Sequence, residues 1–137
     1  VLVIENSEAA VQGLRNRDIP FVFGDADHEL VLSKTYLEKA KALAIALPDP
    51  TSTRLLLQRA LSKAPKLDII ARSHTNQEID LLTQRGAKEV VQPEFEAALE
   101  LGSPLLRTLG AHPLKIHSVL EWIRHDRYRS IRPPREE

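Results

Sequence analysis

Four residues stand where an α/β sheet would do its chemistry. Glu5, Asp25, Asp49 and Arg72 each follow or close an apolar run, at residues 1–4, 19–23, 42–47 and 67–71 respectively. In doubly wound sheets ligands bind beyond the carboxyl ends of the strands, so these positions form a consistent set. At Glu5 a carboxylate can accept hydrogen bonds from ribose hydroxyls. Asp25, next to Gly24, can accept from an adenine amino group or a backbone N–H. Asp49 follows Pro48 at the third strand end, and Arg72 opens Arg72-Ser73-His74, where a guanidinium can meet a phosphate or another anion. Taken singly, Glu5, Asp25 and Arg72 have plainer readings: a solvated turn acid, a Gly-Asp turn and a structural ion pair.

Other chemistries find little support. Cys is absent, which excludes disulfides, thiolate metal sites and cysteine nucleophiles and suggests a reducing compartment. His112 and His117 straddle Pro113, His28 and His74 are isolated, and His125 with Glu121 makes half a metal site, so no metal is expected. No Gly-x-Ser-x-Gly elbow and no spaced pair of carboxylates points to a hydrolase, and no catalytic residue is assigned. The run Arg124, Arg127, Arg129, Arg132, Arg135 reads as the polar face of a terminal helix.

The elements that must position these residues follow from apolar periodicity. Strands are expected at residues 1–4, 19–23, 42–47, 67–71 and 89–91, alternating with helices that start near Ser7, Thr51 or Ser52, and Thr75. Gly86 sits where a left-handed residue ends a helix. Several strands are apolar at nearly every position, as strands covered on both faces are, which points to a parallel α/β sheet. From Pro93 the character changes to a long helix through Leu109, a break at residues 110–113 and a last amphipathic stretch at 114–128. Those helices have no strand left to cover, so their spare apolar face is expected to meet a second copy.

The composition sets the bounds. The chain has 137 residues, 42% hydrophobic and 28% charged, in the range of one folded domain. Nineteen basic residues balance nineteen acidic ones, so there is no global field to hold nucleic acid or an anionic membrane. No apolar run approaches the roughly 20 residues of a membrane helix, so no direct membrane insertion is expected. The chain lacks Met and opens on an apolar run, which reads as an excised piece.

Five segments taken in order carry a resemblance: Val-Leu-Val-Ile-Glu at 1–5, Ile-Pro-Phe-Val-Phe-Gly-Asp-Ala at 19–26, Ala-Leu-Ala-Ile-Ala-Leu-Pro-Asp at 42–49, Ile-Ile-Ala-Arg at 69–72, and Gly-Ala-Lys-Glu-Val-Val-Gln-Pro-Glu-Phe-Glu-Ala-Ala at 86–98. Together they resemble the TrkA-N domain, the potassium-transport nucleotide-binding domain also called RCK or KTN. The resemblance implies a Rossmann-like doubly wound parallel sheet, truncated at its N-terminus, with C-terminal crossover and dimerisation helices. The corresponding division is a core at 1–93, crossover and dimerisation helices at 94–128 and a flexible tail at 129–137. It implies NAD(H) or an adenine nucleotide such as AMP or ATP as ligand, with Glu5 as the ribose acid, Asp25 on the adenine side, Asp49 lining the nucleotide and Arg72 near the ligand or dimer cleft. The family's glycine-rich phosphate loop does not occur in the sequence. If Glu5 is the ribose acid, that loop would lie roughly 20 residues upstream, before Val1.

The function so implied is regulatory and not enzymatic. A cytoplasmic domain at the inner face of the membrane would gate a potassium channel or a potassium/cation:proton antiporter, Kef-like by its long helix and Arg-Tyr-Arg tail, through ligand-dependent rearrangement of a homodimer. Its partners would be a second copy and the membrane portion of the same or a partner chain, and not nucleic acid. Two other readings stay open: a fragment of an NAD-dependent oxidoreductase, and a dimerisation module without a ligand.

Overall fold

The computed structural model describes residues 1–131. They fall into two compact units, Val1–Ile70 and Ala71–Glu137, so that the division lies inside a strand. The first unit runs β1 (Val3–Glu5), α1 (Glu8–Asn16), β2 (Phe21–Phe23), α2 (Glu29–Leu32), a 3₁₀ turn (Leu37–Lys39), β3 (Ala42–Ile45) and α3 (Pro50–Lys63) into β4 (Asp68–Arg72). The second continues from the end of β4 through α4 (Asn76–Gln84), β5 (Glu89–Val91), α5 (Pro93–Thr108) and α6 (Pro113–Ile131).

In the first unit β1 and β2 pair in parallel, with Val3 opposite Phe21, Ile4 opposite Val22 and Glu5 opposite Phe23. The Gly24 N–H donates to the Glu5 carbonyl at 3.1 Å and extends the pairing past the strand ends. Ser7 caps α1 as expected, its hydroxyl accepting from the Ala10 N–H, and Arg15 in the last turn complements the carbonyl end. The cap of α3 is Asp49, not Thr51 or Ser52, because Pro50 is preset for the first helical position and needs no donor there. Thr53, Leu56, Leu57 and Ala60 recur every three or four residues and are buried on one face of α3.

In the second unit Thr75 caps α4 by accepting from the Glu78 N–H at 3.2 Å, and Gly86 at φ 111° ends it. Ile79, Leu82 and Val90 have essentially no exposed surface and lie in the core of this unit. Helix α5 starts on Pro93 with Glu94 and Glu96 in its first turn and carries Pro104 inside. It packs on α6, where Gly102 lets Leu120 approach to within 3.4 Å of where a Cβ would stand.

The strands form two ladders, β1-β2 and β3-β4-β5. In strand order the two ladders have the same make-up as the segments 3-2 and 4-5-6 of the doubly wound order 3-2-1-4-5-6. Between Gly24 and β3 the chain folds into α2 and the 3₁₀ turn, elements too short for periodicity to reveal. Helix α6 runs through Ile131, so residues 129–131 of the expected flexible tail are helical; the rest of that tail, 132–137, lies outside the described residues, with Arg132 and Arg135.

Leu57, 1% exposed, tests the first core. Leu57→Ala should lose about 2–5 kcal/mol in denaturant unfolding, while Gln58→Ala on the exposed side of the same turn should stay within about 0.5 kcal/mol.

Candidate functional site

The turn from β1 to α1 makes the densest set of strand-end interactions. One Glu5 oxygen, Oε1, accepts from the backbone N–H groups of Asn6 at 3.1 Å and Ser7 at 3.0 Å, which holds the carboxylate over its own turn. The Asn6 side-chain amide then donates to Asp25 Oδ1 at 2.8 Å. Two carboxylates, one closing β1 and one just beyond β2, are therefore both bound by Asn6, Glu5 through its backbone N–H and Asp25 through its side-chain amide. Gly24, just before Asp25, lets α2 sit close: at φ 150° it occupies backbone space disfavoured for other residues, and a Cβ there would stand 2.7 Å from Val31 Cγ2 on α2.

Asp49 lies in the same unit but does different work. Its Oδ2 accepts from the Ser52 N–H at 2.8 Å, and no hydrogen bond joins it to Glu5, Asn6 or Asp25. The amide and hydroxyl of Ser52 hold the Asp49 carboxyl below its ordinary value.

Arg72 belongs to the second unit and is the last residue of β4, half-buried. The chain beyond it is fixed by the Ser73 N–H donating to the Val91 carbonyl at 3.0 Å and by the Gln92 side-chain amide donating to the His74 carbonyl at 3.1 Å. His74 Nδ1 meets Glu94 Oε1 at 2.5 Å. That hydrogen bond, with the Glu94 backbone N–H and the positive charge of Arg72, pulls the Glu94 carboxyl below its ordinary value.

A second polar assembly in this unit escaped sequence reasoning. The Tyr128 hydroxyl on α6 accepts from the Gln92 backbone N–H at 3.1 Å and donates to Glu96 Oε1 at 2.8 Å. Arg124 donates to both Glu96 oxygens, also pairs with Glu121, and is held still more firmly protonated by Glu96. Arg127 lies over Phe95, whose ring meets Tyr128 edge-on, and donates to the Asn76 side chain at 3.1 Å. Arg124 and Arg127 are thus structural partners on α6 more than a solvated stripe, and Glu121 pairs with Arg124 instead of His125.

The histidines also find plain work. His28 and His112 each accept a backbone N–H through Nδ1, from Leu30 and Leu114, and so cap α2 and α6. Among the described residues no three His, Asp or Glu side chains gather as a metal site, and no helix is long and apolar enough to cross a membrane.

The fold now has counterparts among known proteins. Residues 1–93 match the TrkA-N domain family. The chain belongs to the TrkA-N family. A relative in Escherichia coli (strain K12), named "Putative cation/proton antiporter YbaL", is 37% identical over 98 residues, which cover 72% of this chain and 18% of that protein. This chain therefore corresponds to a minor part of its relative's length. The crystal structure of the TrkA-N domain of inner membrane protein YbaL from the same bacterium superposes with a TM-score of 0.67 at 36% identity, over 73% of this chain and 74% of that one. The AMP-bound C-terminal domain of Kef from Shewanella denitrificans gives a TM-score of 0.75 over 95% of this chain and 93% of that one. At 18% identity that likeness speaks for the fold, and it extends through α5 and α6. These matches bear out the expected Rossmann-like α/β class and the TrkA-N resemblance.

Two predictions follow from these geometries. Tyr128→Phe keeps the ring against Phe95 but leaves the Gln92 N–H and Glu96 without the bridging hydroxyl, and should lose about 1–3 kcal/mol of unfolding free energy. Asp49 and Glu94 have depressed carboxyls in the folded chain, so their contribution is fully present above the ordinary carboxylate range and lost as pH falls through and below it. The melting temperature should drop below about pH 5, and Asp49→Asn with Glu94→Gln should flatten that acid limb in a pH series of thermal scans.

Proposed function

We propose that this chain is a regulatory nucleotide-binding domain of a cation:proton antiporter or potassium channel, held at the cytoplasmic face of the membrane and acting through rearrangement of a homodimer. The observation that carries the reading is the Asn6 bridge, which sets Glu5 and Asp25 side by side at the carboxyl ends of β1 and β2. A ribose then takes the Glu5 carboxylate, whose second oxygen accepts none of the turn's hydrogen bonds, and the adenine edge takes Asp25. NAD(H), AMP or ATP supplies both groups. Asp49 would line the nucleotide from the start of α3, and Arg72 would face the anionic part of the ligand or the cleft between copies. The AMP found in the Kef domain of the same fold agrees with this choice of ligand.

The second copy would lie on α5 and α6. Leu101, Leu105 and Leu109 are 73%, 61% and 74% exposed and recur every four residues, with Leu114 and Trp122 also exposed on α6. A ligand acts on such a dimer only through its preference for one of two arrangements, and that preference would be what the transporter reads. No reacting group is needed, and the reading is not enzymatic. A dimerisation module without a ligand is the one competing reading with an observation behind it, since Glu5 Oε1 is already engaged by two turn amides.

Thermal unfolding with AMP, ATP, NAD and NADH separates the two. Under the nucleotide reading at least one ligand raises the melting temperature with saturation, reaching about 2.7 kcal/mol at a hundredfold excess over its Kd, and Glu5→Ala removes the rise. No saturable rise with any of the four leaves the dimerisation reading in its place. Leu105→Glu should convert dimer to monomer in sedimentation under either.

A further inference from the structure

The first unit holds a concavity that Glu5 and Asp25 do not line. It is a cleft of about 380 Å³ between α2 and the C-terminal half of α3, lined by His28, Glu29, Leu30, Ser33, Arg59 and Lys63. That volume is at the small end of ligand sites and suits a compact metabolite. Arg59 and Lys63 are four residues apart on α3, which puts both side chains on one face of the helix. The Arg59 guanidinium is anchored by one nitrogen on the Asp27 carbonyl, so the group is oriented while its other donors remain available. No hydrogen bond or ion pair within the described residues engages the Lys63 ammonium, although Glu29 lines the same cleft.

His28 adds a third donor. Its Nδ1 accepts the Leu30 N–H at 3.3 Å, which places the proton of the neutral ring on Nε2. Ser33 adds none, because its hydroxyl proton is given to the Leu30 carbonyl at 2.7 Å. The cleft thus carries two fixed positive charges against one carboxylate, in a chain whose net charge is zero. Local excess, a forked guanidinium and an ammonium on one helix face are the features that hold a phosphate.

We propose that this cleft binds a small phosphomonoester or free phosphate, with Arg59 and Lys63 on the anionic oxygens and His28 Nε2 donating to the same group. Glu29 opposes the ligand and sets the affinity low enough for exchange. The site is separate from the Glu5 and Asp25 pair and does not depend on nucleotide binding there.

The test is an amide-resolved NMR titration of the chain with inorganic phosphate and with glycerol 2-phosphate, at ionic strength held constant with chloride. Saturable shifts are expected at residues 28–33 and 59–63. Lys63→Ala, which removes no hydrogen bond or ion pair among the described residues, should weaken binding by about tenfold or more, and Glu29→Gln should tighten it severalfold. Arg59 is left intact because it also holds the Asp27 carbonyl. Shifts that chloride reproduces, shifts confined to residues 5–7 and 25, or a Lys63→Ala titration that matches the parent would each overturn the proposal.

Discussion

The first turn of a helix exposes backbone N–H groups that must find acceptors, and here that requirement falls on the same residues that would serve a ligand. Each strand of the sheet passes into its helix within a few residues, so the strand end and the helix cap are one piece of chain. Ser7, Asp49 and Thr75 supply the caps, and Glu5 accepts two amides of its own turn besides. The acids are therefore held in fixed positions before any ligand arrives. That preorganisation lowers the ordering cost of binding, but each occupied lone pair is one that the ligand must share or displace.

The two units solve different problems with this device. In the first, caps and the Asn6 bridge hold a polar surface open at the strand ends. In the second, the polar groups turn inward: Tyr128, Glu96, Arg124 and Gln92 fasten the start of α5 to the last turns of α6. Fastening at that end leaves the leucines of the far half of α5 uncovered, which is the surface that a dimer would use.

Much of this was legible in the amino-acid order. The apolar runs located all five strands, Ser7, Thr75 and Gly86 marked helix boundaries correctly, and the ordered set of strand ends led to the family. What stayed hidden has specific causes. Asn6 meets Asp25 across nineteen positions and Tyr128 meets Gln92 across thirty-six, and side-chain hydrogen bonds of that reach leave no periodic trace. Helix α2 has four residues, about one turn, too few for a helical period to repeat. From the amino-acid order the cap of α3 is read at Thr51 or Ser52 and not at Asp49, because an acid before a proline-initiated helix looks the same whether it caps the helix or faces a nucleotide. The capping roles of His28 and His112 gave no sequence signal, since a ring nitrogen that caps a helix and one that binds a metal are the same residue type.

Gly24 bears on how this family is recognised at all. Its backbone conformation and the stiff Val31 side chain 2.7 Å from where a Cβ would stand bar every larger residue, whatever occupies the ligand site. The Gly-Asp pair that stands out in the second segment therefore owes its glycine to the seating of α2, whatever the aspartate beside it does. Were nucleotide contact at position 25 lost, packing would still hold the glycine while the acid was free to drift. On the nucleotide reading, position 25 with 5 and 6 would be the marker of retained sensing, and position 24 would report packing alone.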